Sequence, residues 1–398
     1  MNVLYVWDAD YPWDVRVEKI CRTLLEHGFA AHIAARNLKR MPEHEVMDGL
    51  EVHRLKPRGG ERTNYALSFP AFFNPIWRRF LDRIIREQGI DLVIVRDLPM
   101  AIAGIRAGRR HRIPVVFDMA EDYVAMVRDI WRARKFRGFN LVVRNPYLAR
   151  LVEKYSLKKA DHVLVVVDES RERVVGEGVP PGRVSIVGNT PPLSAFTRDL
   201  PSADSMLEAI ARRYSAIYTG GVQMGRGIQL VLAAIPEIVR TIPDFLFVVA
   251  GDGYAVGRLK AMARRQEVEN HVMWTGWVDH ERIFDVLGVC KLGIIPHFAT
   301  DHVNTTVPNK VFDYMGVGLP VVASDAVPLK RILEEEKCGL TFRSGDVSDL
   351  ARVVVTAYSS NNNFGQNGRA AVQARYNWGQ DTGRLISALE SVGRGTPE

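Results

Sequence analysis

Cysteine is scarce: three in 398 residues, at Cys21, Cys290 and Cys338. An odd, widely spaced trio in apolar or helical surroundings excludes a disulfide framework and a cysteine-rich metal centre, so all three are expected as buried thiols. No apolar run approaches the roughly 18 residues that a membrane span requires. The opening MNVLYVWDAD reads directly as a strand, without a basic leader or a small-residue cleavage site, and the expected location is cytoplasmic, at most peripheral on the inner face of a membrane. Internal repeats, low-complexity tracts and heptads are missing too, although Asn361-Asn362-Asn363 marks an exposed loop. No nucleic-acid recognition motif is present, and nucleic acid is not expected as a partner.

Excess negative charge is missing as well. Residues 1–190 carry 32 Lys and Arg against 24 Asp and Glu, whereas the remainder carries 21 against 22, so the net +7 originates in the N-terminal half. It concentrates in Trp77-Arg78-Arg79 through Arg86, in Arg106 to Arg112, and in Trp131-Arg132-Ala133-Arg134-Lys135-Phe136-Arg137. Solvated helix faces account for any one cluster. Three of them interleaved with Trp and Phe better suit a surface that meets anionic lipid or an anionic acceptor.

What the chain has in abundance is alternation of short apolar runs with longer helical patterns, the mark of α/β domains with parallel sheets covered on both faces. The first half supplies NVLYVW, AAHIAA, EVHRL, LVIVR, VVFDM and HVLVVV; the second supplies SAIYTG, FLFVVAG, HVMWTG, LGIIPH, LPVVAS and GLTF. Val17 to Glu26 reads as a helix closed by His27-Gly28. Two doubly wound, Rossmann-like domains follow, residues 1–190 and 191–378, with the seam at Val187 to Pro192, where a proline pair extends neither helix nor central strand. Such a pair of domains is expected to hold its ligand in the cleft between them, at the C-terminal ends of the strands. Residues 379–398 are read as a final helix, Gly379 to Val392.

The chemistry-bearing residues lie at strand ends. After Ile294-Ile295-Pro296-His297 comes a loop rich in hydroxyl and amide groups, Asn304-Thr305-Thr306, and then a helix expected to start near Val307 or Pro308 and to contain Asn309, Lys310 and Asp313. A helix N-terminus with a lysine in its first turns suits an anionic diphosphate. Asp313, one turn on, is placed for ribose hydroxyls; an ordinary capped helix with a Lys310–Asp313 pair explains the same residues. Tyr218-Thr219-Gly220-Gly221 runs through Arg226 to Gly227, where glycines admit a ligand to the backbone and Arg226 offers a bidentate fork. The loops at Val248 to Gly253 and at Trp274-Thr275-Gly276-Trp277 are placed to line a nucleobase slot, with Trp277 or main-chain groups against the base, and a buried tryptophan is the competing account.

In order and spacing, YTGG…RG, VVAGDG, WTGWV, IIPH…NTTVPNKVFDYM, GLPVVASD and Arg375-Tyr376-Asn377-Trp378 resemble the retaining glycosyltransferases of the GT-B fold, specifically the GT4 family, over nearly all of the C-terminal half. The N-terminal half looks like that family's acceptor domain, through Asp10 to Glu18 and Val115 to Asp122. The resemblance implies a nucleotide-sugar substrate, a UDP-sugar foremost, with Arg226 and Lys310 on its pyrophosphate, Asp313 in the ribose-binding place of the second acid of an E-x7-E motif, and Gly251 and Trp277 at the base. Gly220, Gly221, His297, Asn304, Thr305, Thr306 and Asn309 complete the donor side. Thr305 stands where the family has the first glutamate, and Ala120 where many members have a histidine. The acceptor, lipid-linked or a small glycoside, is expected near Asp14, Arg16 and Glu121. Glu121 reads equally as general base and as a capping carboxylate. No Asp-x-Asp occurs in the second half and Asp8-Ala9-Asp10 lies in the first, so neither metal nor cofactor is expected. The resemblance also implies that the final helix crosses back to the N-terminal domain. An epimerase or phosphorylase of the same fold and a non-catalytic nucleotide-sugar-binding protein are the alternative functions.

Overall fold

The computed structural model describes residues 1–12, 14–60, 63–64, 74–133, 140–197, 204–360 and 362–393. Trp13, the Arg134 to Arg137 end of the third basic cluster and Asn361 lie outside the described residues. Contacts divide the chain into two compact units, residues 1–189 with 381–398, and residues 190–380.

The first unit is built on an eight-stranded sheet: β1 (Asn2–Asp10), β2 (Ala30–Arg36), β3 (His44–Met47), β4 (Leu50–Arg54), β5 (Leu92–Arg96), β6 (Val115–Asp118), β7 (His162–Val165) and β8 (Val184–Ile186), in the order β3-β4-β2-β1-β5-β6-β7-β8. All neighbours are parallel except β3, which pairs antiparallel with β4. The second unit holds a wholly parallel six-stranded sheet: β9 (Tyr214–Thr219), β10 (Phe245–Ala250), β11 (Val272–Gly276), β12 (Leu292–Ile295), β13 (Val321–Ser324) and β14 (Gly339–Phe342), ordered β11-β10-β9-β12-β13-β14. The expected α/β, doubly wound class is what the structure has. Strand order reverses between β1 and β5 in one sheet and between β9 and β12 in the other, and such switch points are where open α/β sheets bind ligands.

The strands form where the sequence runs apolar because both faces of a parallel sheet are covered: β5 and β10 are buried along their whole length. Helix α1 (Val15–Glu26) starts at Asp14, whose carboxylate accepts from the Arg16 and Val17 amides, and ends at Gly28 (φ +77), where the Phe29 amide returns to Leu24. Two strands go beyond the sequence reading. β8 has only three residues. β3 is short and polar, and its signal was the Asp48-Gly49 pair, a two-residue hairpin turn with both φ values positive. Trp77, read with the basic clusters, is wholly buried in helix α2 (Pro75–Glu87) and packs edge-on against Phe80. Its arginine neighbours Arg78, Arg79, Arg83 and Arg86 face solvent. The final helix spans Trp378–Gly393, and its Leu385, Ala388 and Leu389 are buried.

Candidate functional site

In the second unit, three loops leave the C-terminal ends of β9, β10 and β12 so close together that only glycine fits. The Gly220 amide donates to the Ala250 carbonyl (2.8 Å) and the Val222 amide to Asp252 (2.9 Å). A Cβ at Gly251 would stand 1.9 Å from the Gly220 carbonyl oxygen, and one at Gly227 (φ +75) 1.7 Å from that of Pro296. The glycines therefore serve backbone-to-backbone approach, and they fix the loops around the β9/β12 switch point.

Helix α3 (Lys310–Val317) is pinned to this point by Tyr314, whose hydroxyl accepts from the Thr219 amide (3.0 Å) and whose ring fills the space beside Gly293. The helix starts two or three residues later than expected. The Val311 and Phe312 amides bond back to Pro308 and Asn309, and the Asn309 side chain makes no capping bond, so the helix end brings the Lys310 ammonium rather than those two amides.

Lys310 Nζ sits 4.9 Å from the centre of the Tyr218 ring and lines the backbone of Gly220. Burial pushes its pKa down to about 7; the Arg226 charge acts the same way and Asp313 against it. His297, 1% exposed, is held neutral: burial first, then the positive charges of Lys310 and Arg226, push it well below the ordinary histidine range. Among the described residues neither of its ring nitrogens has a hydrogen-bond partner, and the ring meets Tyr218 edge-on at 6.3 Å. A buried imidazole with both nitrogens unsatisfied at a sheet switch point is a group in want of a ligand.

The structure thus brings Gly220, Gly221, Arg226, Gly251, His297, Lys310 and Asp313 to one region. Trp277, 70% exposed after Gly276 (φ +71), is not the buried tryptophan that the sequence left open. The three residues of the preceding loop are locally engaged. Asn304 Oδ1 accepts from the Val327 amide (3.0 Å), and the Thr305 and Thr306 hydroxyls donate to the His302 carbonyl (3.0 and 3.2 Å).

In the first unit, two expected acceptor-side residues turn out to hold the fold. Arg16 is 3% exposed; it grips Asp118 (2.6 Å) and donates to the Val187 carbonyl (2.9 Å) and to Asn189 Oδ1 (2.8 Å), tying α1 to the end of the sheet. Burial pushes the Asp118 carboxyl up, but Arg16 outweighs it and holds the carboxyl below its usual range. Asp14 caps α1 and pairs with Arg96. Asp97 belongs to none of the sequence motifs. It follows β5 directly, adopts φ +55, and its Oδ1 is buried without a hydrogen-bond partner among the described residues. Burial pushes its carboxyl up to about 7, with Arg96 opposing and the charges of Asp118 and Glu121 adding to the rise. A non-glycine residue with positive φ and a near-neutral carboxyl, at the switch point of the first sheet, has the features of a functional group. The available signal was an aspartate straight after the buried run LVIVR. Glu121 is half-buried, close enough for its charge to act on Asp97.

Residues 14–190 match the family model described as glycosyl transferase 4-like domain, and residues 213–360 match the one described as glycosyl transferases group 1. The chain is similar to alpha-D-kanosaminyltransferase of Streptomyces kanamyceticus, 20% identical over 253 residues that make up 62% of this chain and 64% of that protein. The chain spans 64%, 50% and 44% of the length of three of the curated relatives it matches. Among solved structures, sucrose-phosphate synthase of Thermosynechococcus elongatus aligns with a TM-score of 0.78 at 17% identity over 98% of both chains. HepE of Anabaena, solved in complex with UDP-glucose, aligns with a TM-score of 0.72 at 16% identity over 98% of this chain and 100% of that one. These structures share the fold.

Proposed function

Because the chain belongs to a glycosyltransferase family of the GT-B fold, we propose that it moves a sugar from a nucleoside diphosphate sugar, a UDP-sugar foremost, to a hydroxyl acceptor with retention of configuration, as a GT4-type enzyme of glycolipid or polysaccharide assembly. The observation that carries this reading is His297, neutral, buried and unsatisfied beside the Lys310 and Arg226 charges. Lys310 and Arg226 take the diphosphate, whose negative charge grows as the C1–O bond to phosphate breaks. His297 meets a sugar hydroxyl, Asp313 the ribose and Trp277 the base. In front-face transfer the acceptor oxygen bonds to C1 on the side the diphosphate leaves, and the acceptor proton passes to a departing phosphate oxygen. On the acceptor side Asp97 and Glu121, rather than Asp14 and Arg16, are the carboxyls offered to a hydroxyl. Two cationic side chains supply the charge stabilisation for which other transferases use a metal, so turnover is expected to persist in EDTA.

The test is incubation with a panel of UDP- and GDP-sugars plus a membrane extract as acceptor source, reading released nucleotide and the anomeric configuration of the product. The reading requires turnover with at least one donor and a loss of at least about 100-fold in Lys310→Ala. Affinity for a donor without turnover points instead to a binding protein, and conversion of the sugar without transfer points to an epimerase.

A lipid-borne acceptor is part of the proposal. Leu141, Val142, Tyr147, Leu148 and Leu151 are all exposed, Tyr147 to 81%, on the short helix Asn140–Val143 and on Pro146–Lys159, with Arg144, Arg150, Lys154 and Lys158 around them. Apolar side chains among cations suit the interface of an anionic membrane. Flotation with phosphatidylglycerol vesicles should carry the protein, phosphatidylcholine vesicles should not, and Tyr147→Asp should abolish the difference; equal flotation on both lipids would count against it.

A further inference from the structure

Three potential ligands converge on the β3–β4 hairpin of the first unit. The Asp48-Gly49 turn pairs Met47 with Leu50 and so sets His44 directly opposite His53, with Glu51 two residues before His53 on the same face. The parallel pairing of β2 with β4 puts His32 beside Glu51, on that face again. As a result His44 Nε2 lies 2.6 Å from Glu51 Oε2, the His44 and His53 rings are 5.0 Å apart, and one ligating atom from each of His44, Glu51 and His53 falls within 4.8 Å of the others. His32 stacks on His53 at 5.6 Å with the planes 19° apart, and its Nδ1 is 3.3 Å from His53 Nε2. His32 and His53 are buried, while the His44 and Glu51 side chains are 54% and 36% exposed and leave a path from solvent.

Zinc bonds imidazole nitrogen at about 2.0–2.1 Å and carboxylate oxygen at about 2.0–2.2 Å, so neighbouring corners of its tetrahedron are roughly 3.3 Å apart. His44 and Glu51, as the exposed members of the set, are the side chains that must turn to reach that spacing. Two imidazoles and a single carboxylate are a poor match to magnesium or calcium, which take oxygen almost throughout, and with no thiolate in the set copper(I) is disfavoured. We infer that His44, Glu51 and His53 form a site for a divalent first-row transition ion, zinc foremost, with water in the fourth position and His32 holding the His53 ring in its plane. The ion ties the edge strand β3 to β4, a cross-link where a short antiparallel edge has least to hold it. The site requires nothing of the proposed transfer chemistry.

The full chain, stripped with EDTA, is titrated with zinc chloride by calorimetry and with cobalt(II) by visible absorption. The expected result is one zinc per chain, the intense bands of tetrahedral cobalt and no heat with magnesium. His44→Ala and Glu51→Gln, both at solvent-facing side chains and checked by circular dichroism, each weaken zinc at least tenfold. Hydrogen exchange at the 44–54 amides slows on zinc addition in the unmodified chain and not in His44→Ala. No stoichiometric zinc binding, or an affinity within threefold of the unmodified chain in either variant, overturns the inference.

Discussion

At the scale of single residues, the donor side turns on what burial does to charge. Lys310 has its pKa pushed down to about 7, so in the ligand-free protein the ammonium loses its proton through the neutral range; a diphosphate beside it restores the charged form. Binding of UDP at pH 8 is therefore expected to take up close to one proton, seen as a calorimetric enthalpy that changes with the ionisation enthalpy of the buffer. Affinity should fall by up to about tenfold per pH unit above 7. Lys310→Ala should bind UDP weakly and without buffer dependence; an unmodified chain with the same enthalpy in phosphate and Tris would contradict the role of Lys310. The lysine itself was legible from its place after a strand and a polar loop. Its altered titration was not, because that depends on packing and on Arg226, 84 positions earlier in the chain. The anchoring of Arg16 was hidden for the same reason: the Asp118 carboxylate and the Val187 carbonyl that hold its guanidinium lie more than 100 residues further along the chain.

At the scale of elements, the glycine loops show how local sequence specifies geometry. Gly227 was legible as a glycine after Arg226, but that it faces the Pro296 carbonyl was not, since β9 and β12 become neighbours only in the sheet. Its φ of +75 and the 1.7 Å approach leave no room for a methyl group. Gly227→Ala is expected to destabilise the second unit by more than the usual 1 kcal/mol or so of a glycine replacement, since the β9 and β12 loops must part. Thermal unfolding measures this. The informative control is Gly225→Ala, where a Cβ meets nothing within 4 Å; similar losses at both positions would contradict the account. The apolar strands were readable because a covered parallel sheet writes itself as apolar runs. β3 was missed because an exposed edge strand such as HEVM does not.

At the scale of the whole molecule, the two units carry ionisable groups that respond to pH in opposite directions. Asp8 and Asp97, in the first, are pushed up to about 6 and about 7, mainly by burial. Between the unfolded carboxylate value of 3.8 and these values the folded unit binds protons that the unfolded chain has released, so its stability falls as pH rises through this window and levels off above it. Lys310, in the second unit, works the other way: from about 7 to its unfolded value of 10.5 the folded unit has released a proton that the unfolded chain keeps, so stability there rises with pH. Calorimetry of the full chain is expected to resolve these trends as two components that respond oppositely, since a chain of two compact units need not unfold in one step. Asp97→Asn, which keeps the shape and removes the charge, isolates the first. At pH 8 it should raise the melting temperature of the first unit by several degrees, at about 2–4 °C per kcal/mol for a domain of this size. At pH 4.5, where Asp97 already carries its proton, it should change little. An equal shift at both values would mean that Asp97 is ionised throughout the range, and would remove the argument for its place beside an acceptor hydroxyl.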